Sequence, residues 1–187
     1  MLALAMISLP LSASALDVRV DENEAPSVKI FNADGVSFEY DDGDVISQQT
    51  IRGENGDVDQ LLIHFVDPQS GERQRDAFVG IQLYSTAPVF EGASDEKDAI
   101  AQNLLEQLSK NLGERVKASK LSDELAEIGA IEGYQARLSG KDEDHYLRFF
   151  VTETATGYAL VLEQRELEDK EAQRAVERLL NTLSFGG

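Results

Sequence analysis

Residues 145–166 read HYLRFFVTETATGYALVLEQRE. Two runs rich in aromatic and branched residues, His145–Glu153 and Tyr158–Glu166, flank Thr154-Ala155-Thr156-Gly157, which reads as a hairpin loop between two strands. Successive strand residues point to opposite faces, so Phe149 and Phe150 lie on opposite sides of the sheet. A sheet apolar on both faces needs cover on both. Directly downstream, LEDKEAQRAVERLLNTL (167–183) places Ala172, Ala175, Val176, Leu179, Leu180 and Leu183 on one stripe at helical spacing. That is an amphipathic helix whose apolar side must be buried against the sheet.

Working outward, IEGYQARLSG (131–140) supplies a third strand, joined to the first two through the KDED loop (141–144). SDELAEIG (122–129) has no clear preference, and RVKASKL (115–121) reads as extended. Before these, DEKDAIAQNLLEQLSKNLG (95–113) carries Ile100, Leu104, Leu108 and Leu112 at helical spacing, acids in its first turn and Gly113 where a helix should end. The opening half is a run of strands. SVKIF (27–31) and VSFEY (36–40) are separated by a turn whose Asp34-Gly35 step favours a tight hairpin. VISQQTI (45–51), QLLIHFV (60–66) and AFVGIQLYS (77–85) follow as a meander, punctuated by RGENGD (52–57) and DPQSGERQRD (67–76). These elements predict an α+β fold, a mostly antiparallel sheet with helices packed on it. No repeat or linker divides the chain, which predicts one domain over residues 28–187.

The first residues, MLALAMISLPLSASA, form an apolar stretch ending in a small-x-small pattern at Ala13-Ser14-Ala15. Residues 1–15 read as a secretory signal peptide and 16–27 as a polar lead-in, with the missing basic n-region leaving open whether Met1 is the true start. The chain has no cysteine, which removes disulfides, thiolate nucleophiles and sulfur-ligated metals. Its 35 acidic against 17 basic residues give a formal charge of −18. Such a surface repels phosphate backbones and anionic lipid heads, so nucleic acid and membrane surfaces are poor partners.

Asp41, Asp42 and Asp44 surround Gly43, a composition that suits either a cation site or a polar turn. An EF-hand reading of Asn55, Asp57 and Asp59 fails because Gln60 stands where glycine is needed and Val66 where glutamate is needed. Asp142 and Asp144 fail likewise, being followed by Tyr146. GVSFE (35–39) lacks the final glycine of a nucleophile elbow and lies in a strand. Ser94 and Lys97 are a Ser-x-x-Lys pair without its companion motifs, and Ser94 or Asp95 reads better as a helix cap. Gly140-Lys141 is followed by Asp142, with Gln135 where a phosphate loop needs its first glycine. His64 shares a strand face with Leu62 and Val66, and His145 one with Leu147, Phe149 and Val151. Both read as structural or surface groups. No catalytic, cofactor-binding or metal-binding residue is assigned, and no cofactor is expected.

The order of elements, together with GVSFEY (35–40) and the ending LLNTLSF (179–185), resembles the PsbP-like and DcrB-like exported domains. The resemblance covers residues 28–185. It implies an α/β/α sandwich, a fold shared by photosystem extrinsic subunits, small periplasmic proteins and a Ran-binding nuclear-transport factor. It also implies a small non-enzymatic accessory or binding domain; with the signal-like start, the expected compartment is the periplasm and the expected partner another envelope protein. The alternative is a calcium- or manganese-binding protein using the Asp41–Asp44 turn.

Overall fold

The computed structural model describes residues 27–52, 57–66, 73–84, 116–121, 126–140 and 145–186. The signal-like start, the expected helix over 95–113 and the KDED loop lie outside them. Every sheet pairing among the described residues is antiparallel.

The opening strands β1 (Val28–Ala33) and β2 (Val36–Asp41) form a hairpin in which Ala33 faces Val36. The two turn residues, Asp34 and Gly35, have φ of 52° and 75°. This doubly left-handed turn matches the twist of its strands, and glycine adopts it without strain. The hairpin is not part of the meander. It belongs to a separate three-stranded sheet, β1-β2-β11, completed by β11 (Ser184–Phe185). The expectation of a single sheet is corrected here, as is that of a closing helix reaching Leu183. The helix ends one residue before Leu183, which takes an extended conformation and leads the chain alongside β2.

The larger sheet has eight strands. Its order is β3 (Val45–Ile51), β4 (Val58–Val66), β5 (Arg73–Tyr84), β10 (Gly157–Glu166), β9 (His145–Thr154), β8 (Ile131–Gly140) and β6 (Val116–Leu121), with the short β7 (Ala126–Ile128) paired to β8. Both meanders are as expected, and they join through β5 and β10, where Ile81 faces Val161. β5 starts earlier than its composition suggests: Arg73 pairs with Val66 after a register shift on β4, which draws Arg73–Asp76 into the strand.

The helix α1 (Lys170–Thr182) begins at Asp169, whose carboxylate accepts the N–H groups of Glu171 and Ala172 at 3.0 and 2.9 Å. That is an N-cap satisfying two otherwise unpaired donors. Ala172, Val176, Leu179, Leu180 and Leu183 are buried, and Ala175 packs partly. They meet Leu61, Ile63, Phe65, Ala77, Val79, Ile81, Phe150 and Val161 from the large sheet and Val36 and Phe38 from the small one. One helix thus seals two sheets into one core. Phe149, Val151 and Leu160, on the opposite face of the large sheet, are also buried. Among the described residues the fold is dominated by sheet, with α1 its single helix.

Candidate functional site

The three aspartates at the β2–β3 corner are each committed to a different partner. The turn is closed by the Asp44 N–H donating to the Asp41 carbonyl at 2.9 Å. Asp44 then turns its carboxylate back, accepting the N–H groups of Asp41 and Val66, each at 3.1 Å. The Val66 N–H is available because the β4–β5 register shifts between His64 and Val66. Half burial of Asp44 pushes its carboxyl above the usual carboxylate range, against the two N–H bonds that favour its charge. Asp41 pairs with Arg178 of α1. Asp42 pairs with Lys29 and accepts the Ser27 hydroxyl at 3.1 Å. The Lys29 contact, with that hydroxyl, lowers the Asp42 pKa, and the same contact raises that of Lys29. A cation held by all three would have to displace an arginine, a lysine and two backbone donors. The corner is built as a turn.

Two polar clusters lie outside the motifs considered above. The first crosses three strands: Gln49 of β3 donates to the Gln60 Oε1 at 2.7 Å, Gln82 of β5 faces Gln60, and the Tyr84 hydroxyl donates to the Gln82 Oε1 at 2.8 Å. Burial pushes Tyr84 up to about 12. The second centres on Glu163 of β10, which lies on the α1 side of the sheet with Val161. Arg148, directly across on β9, donates from Nε to Glu163 Oε2 at 2.8 Å, and one of its terminal nitrogens lies 2.7 Å from the same oxygen as an ion pair. Arg165 Nε donates to Glu163 Oε1 at 3.1 Å, and the Arg165 guanidinium lies 4.5 Å over the Tyr146 ring. The side chain of Glu163 is 5% exposed and those of Arg148 and Arg165 are 16% and 11% exposed, so this network is closed by its own members. Alternation along β10 and β9 could have shown that Glu163 and Arg148 face the core. Their pairing depends on register.

The other candidates do not converge on these clusters. His64 lies between Val45 and Phe78, its ring 6.1 Å from that of Phe78, on the face opposite Leu61, Ile63 and Phe65. This is the placement read from alternation. Asp59 accepts the Thr50 hydroxyl at 2.7 Å, while Asn55 lies outside the described residues. Ser37 of the GVSFE stretch sits in β2, paired with Ser184. Gln135 is in β8, its buried Oε1 without a hydrogen bond. The side chain of His145 and residues Ser94, Lys97, Lys141, Asp142 and Asp144 lie outside the described set. An open groove of about 470 Å³ runs past Glu132, Thr152, Glu153 and Phe185, too shallow to enclose a ligand. Among the described residues no group of three or more His, Asp or Glu is placed to hold a metal, and no helix is long and apolar enough to cross a membrane.

No protein-family model matches the chain, and no curated protein matches it in sequence. Among solved structures it is similar to the solution structure of cyanobacterial PsbP (CyanoP) from Synechocystis sp. PCC 6803, with a TM-score of 0.51 and 13% sequence identity over 90% of this chain and 98% of that one. At that identity the likeness speaks for architecture alone: this chain has the PsbP-like fold.

Proposed function

We propose that this chain is an exported, non-enzymatic accessory domain that acts by holding a protein partner. The observation that carries the reading is the PsbP-like fold along 90% of the chain. The polar groups agree with it: Asp41, Asp42 and Asp44 pin a corner, and Glu163 and its arginines pin the sheet under α1. On this reading residues 1–15 are a signal peptide, residues 16–27 a lead-in, and residues 28–187 one domain related to the PsbP and DcrB groups. The periplasm is its compartment and an envelope protein its partner.

The test is crosslinking capture from cell-envelope extract with the tagged mature chain as bait. A single saturable partner is expected. A turnover abolished by one point substitution would overturn the reading.

A further inference from the structure

We propose that the outer edge of β1 is a docking strand, which takes an extended, cationic segment of a partner protein as a fourth strand of the small sheet. The proposal rests on the accessory-domain reading above and gives its partner a chemistry.

The backbone shows which groups are on offer. Ala33 and Val36 flank a two-residue turn, so they exchange both N–H and C=O bonds, and in an antiparallel ladder every second pair does the same. The Asp42 N–H donating to the Ser27 carbonyl at 2.9 Å is a member of that series. Ser27, Lys29, Phe31 and Ala33 therefore address β2. Val28, Ile30 and Asn32 aim their N–H and C=O groups the other way, and among the described residues β1 pairs with β2 alone. Two of these three residues also carry exposed apolar side chains, Val28 at 50% and Ile30 at 69%. Unpaired backbone beside exposed apolar surface is what strand addition uses.

Among the described residues, two other edges are less suited to strand addition. On the far side of β2, Ser37 is paired by Ser184, the Glu39 N–H by the Thr182 hydroxyl at 2.9 Å and the Asp41 N–H by Asp44. β3, at the edge of the large sheet, carries polar side chains that bond to its neighbour: Ser47 to the Leu62 carbonyl, Gln49 to Gln60 and Thr50 to Asp59. β1 has no proline, no register shift, and one charge, Lys29, which is tied to Asp42.

Charge selects the partner. Glu39 sits opposite Ile30 and shares its face, and the chain carries −18 overall. A strand alternating apolar residues with Lys or Arg would cover Val28 and Ile30 and complement that field. A second copy would bring −18 against −18, which disfavours self-pairing.

The experiment uses the full chain and a labelled peptide alternating valine and lysine, with a valine–glutamate peptide as control. Anisotropy reads affinity and hydrogen exchange reads the site. Ile30→Pro removes one outward donor and leaves the β1–β2 bonds, a position where edge strands tolerate proline. Ile30→Lys, which sets a like charge against the peptide, serves if the proline variant does not fold. The expected result is protection of the Val28, Ile30 and Asn32 amides by the lysine peptide, with binding at least tenfold weaker for either variant and for the glutamate peptide. Binding that is absent, that leaves these amides unprotected, or that is as tight in both variants as in wild type would overturn the proposal. A concentration-dependent dimer abolished by Ile30→Pro would overturn it in favour of a second copy. Capture of one envelope partner equally by wild type and Ile30→Pro would leave the accessory reading standing and remove the edge. A turnover found alongside edge binding would do the reverse.

Discussion

Thr182, in the last turn of α1, accepts the backbone N–H of Glu39 at 2.9 Å, while its own hydroxyl proton has the carbonyls of Arg178 and Leu179 in reach at 3.0 and 3.1 Å. One side chain thus takes over from β11 where that strand is too short to pair the whole of β2. Thr182→Val keeps the shape and removes the acceptor, leaving a part-buried N–H unpaired. We expect a loss of about 1–2 kcal/mol by urea unfolding, with faster hydrogen exchange at Glu39. Thr182→Ser restores both. Wild-type exchange at Glu39 in the valine variant would show that the contact is incidental.

Gly133 of β8 lies under the core. A Cβ there would come within 2.4 Å of the Val151 carbonyl oxygen and 2.6 Å of Phe150 Cζ. A ring can shift, but a carbonyl held in the ladder cannot shift without breaking it. Gly133→Ala should therefore cost about 2 kcal/mol or more through overpacking. Gly43, in the aspartate corner, is the comparison: its added Cβ would find Val66 Cβ at 3.9 Å, an ordinary contact. Gly43→Ala should stay within about 0.5 kcal/mol of wild type. Equal losses at the two sites would contradict the packing described.

The features legible in the sequence are those carried by local pattern. The Asp34-Gly35 hairpin, the strands from Val45 to Ile51 and Ile131 to Gly140, and the buried stripe of α1 all follow from turn chemistry or from periods of 2 and 3.6. Alternation also placed Phe149 and Phe150 on opposite faces and His64 away from Leu61, Ile63 and Phe65. What could not be read is register and partner choice. Nothing local says that β1 and β2 leave the meander to pair with Ser184–Phe185, or that β5 neighbours β10. The same gap hid the Glu163 network, because Arg148 and Glu163 meet only once β9 and β10 are aligned. The aspartate corner was legible as two alternatives, and only the positions of Arg178, Lys29 and the Val66 N–H separate them.

The Glu163 network makes a prediction with a built-in rescue. Glu163→Gln leaves two mostly buried guanidiniums without their counter-charge, and breaking a buried pair from one side costs about 3 kcal/mol. Replacing all three, as Glu163→Leu with Arg148→Met and Arg165→Met, removes the stranded charges together and should recover most of that loss. Urea midpoints of the two variants decide it. A single variant as stable as wild type would mean that water, and not Glu163, compensates the arginines.

Two carboxylates of the same corner should respond to pH in opposite senses. Asp42 is depressed by Lys29 and Ser27, so its contribution is present above its unfolded pKa of 3.8 and fades as pH falls through the lower folded value. Asp44 is raised by burial, so the native state holds its proton more tightly than the unfolded state. Its favourable contribution is complete below 3.8 and is lost as pH rises through the folded value. Asp44→Asn has no proton to lose. Its stability deficit relative to wild type, caused by the unmatched Asp41 or Val66 N–H, should therefore narrow as pH rises from below 3.8 through the folded pKa of Asp44, and then level off. Asp42→Asn should show a deficit that grows as pH rises through the lower folded pKa of Asp42 and is complete above 3.8. Urea unfolding of the three proteins across the acid range checks both slopes. A deficit for Asp44→Asn that widens with pH would place the hydrogen bonds from Asp41 and Val66, and not burial, in control of that carboxylate.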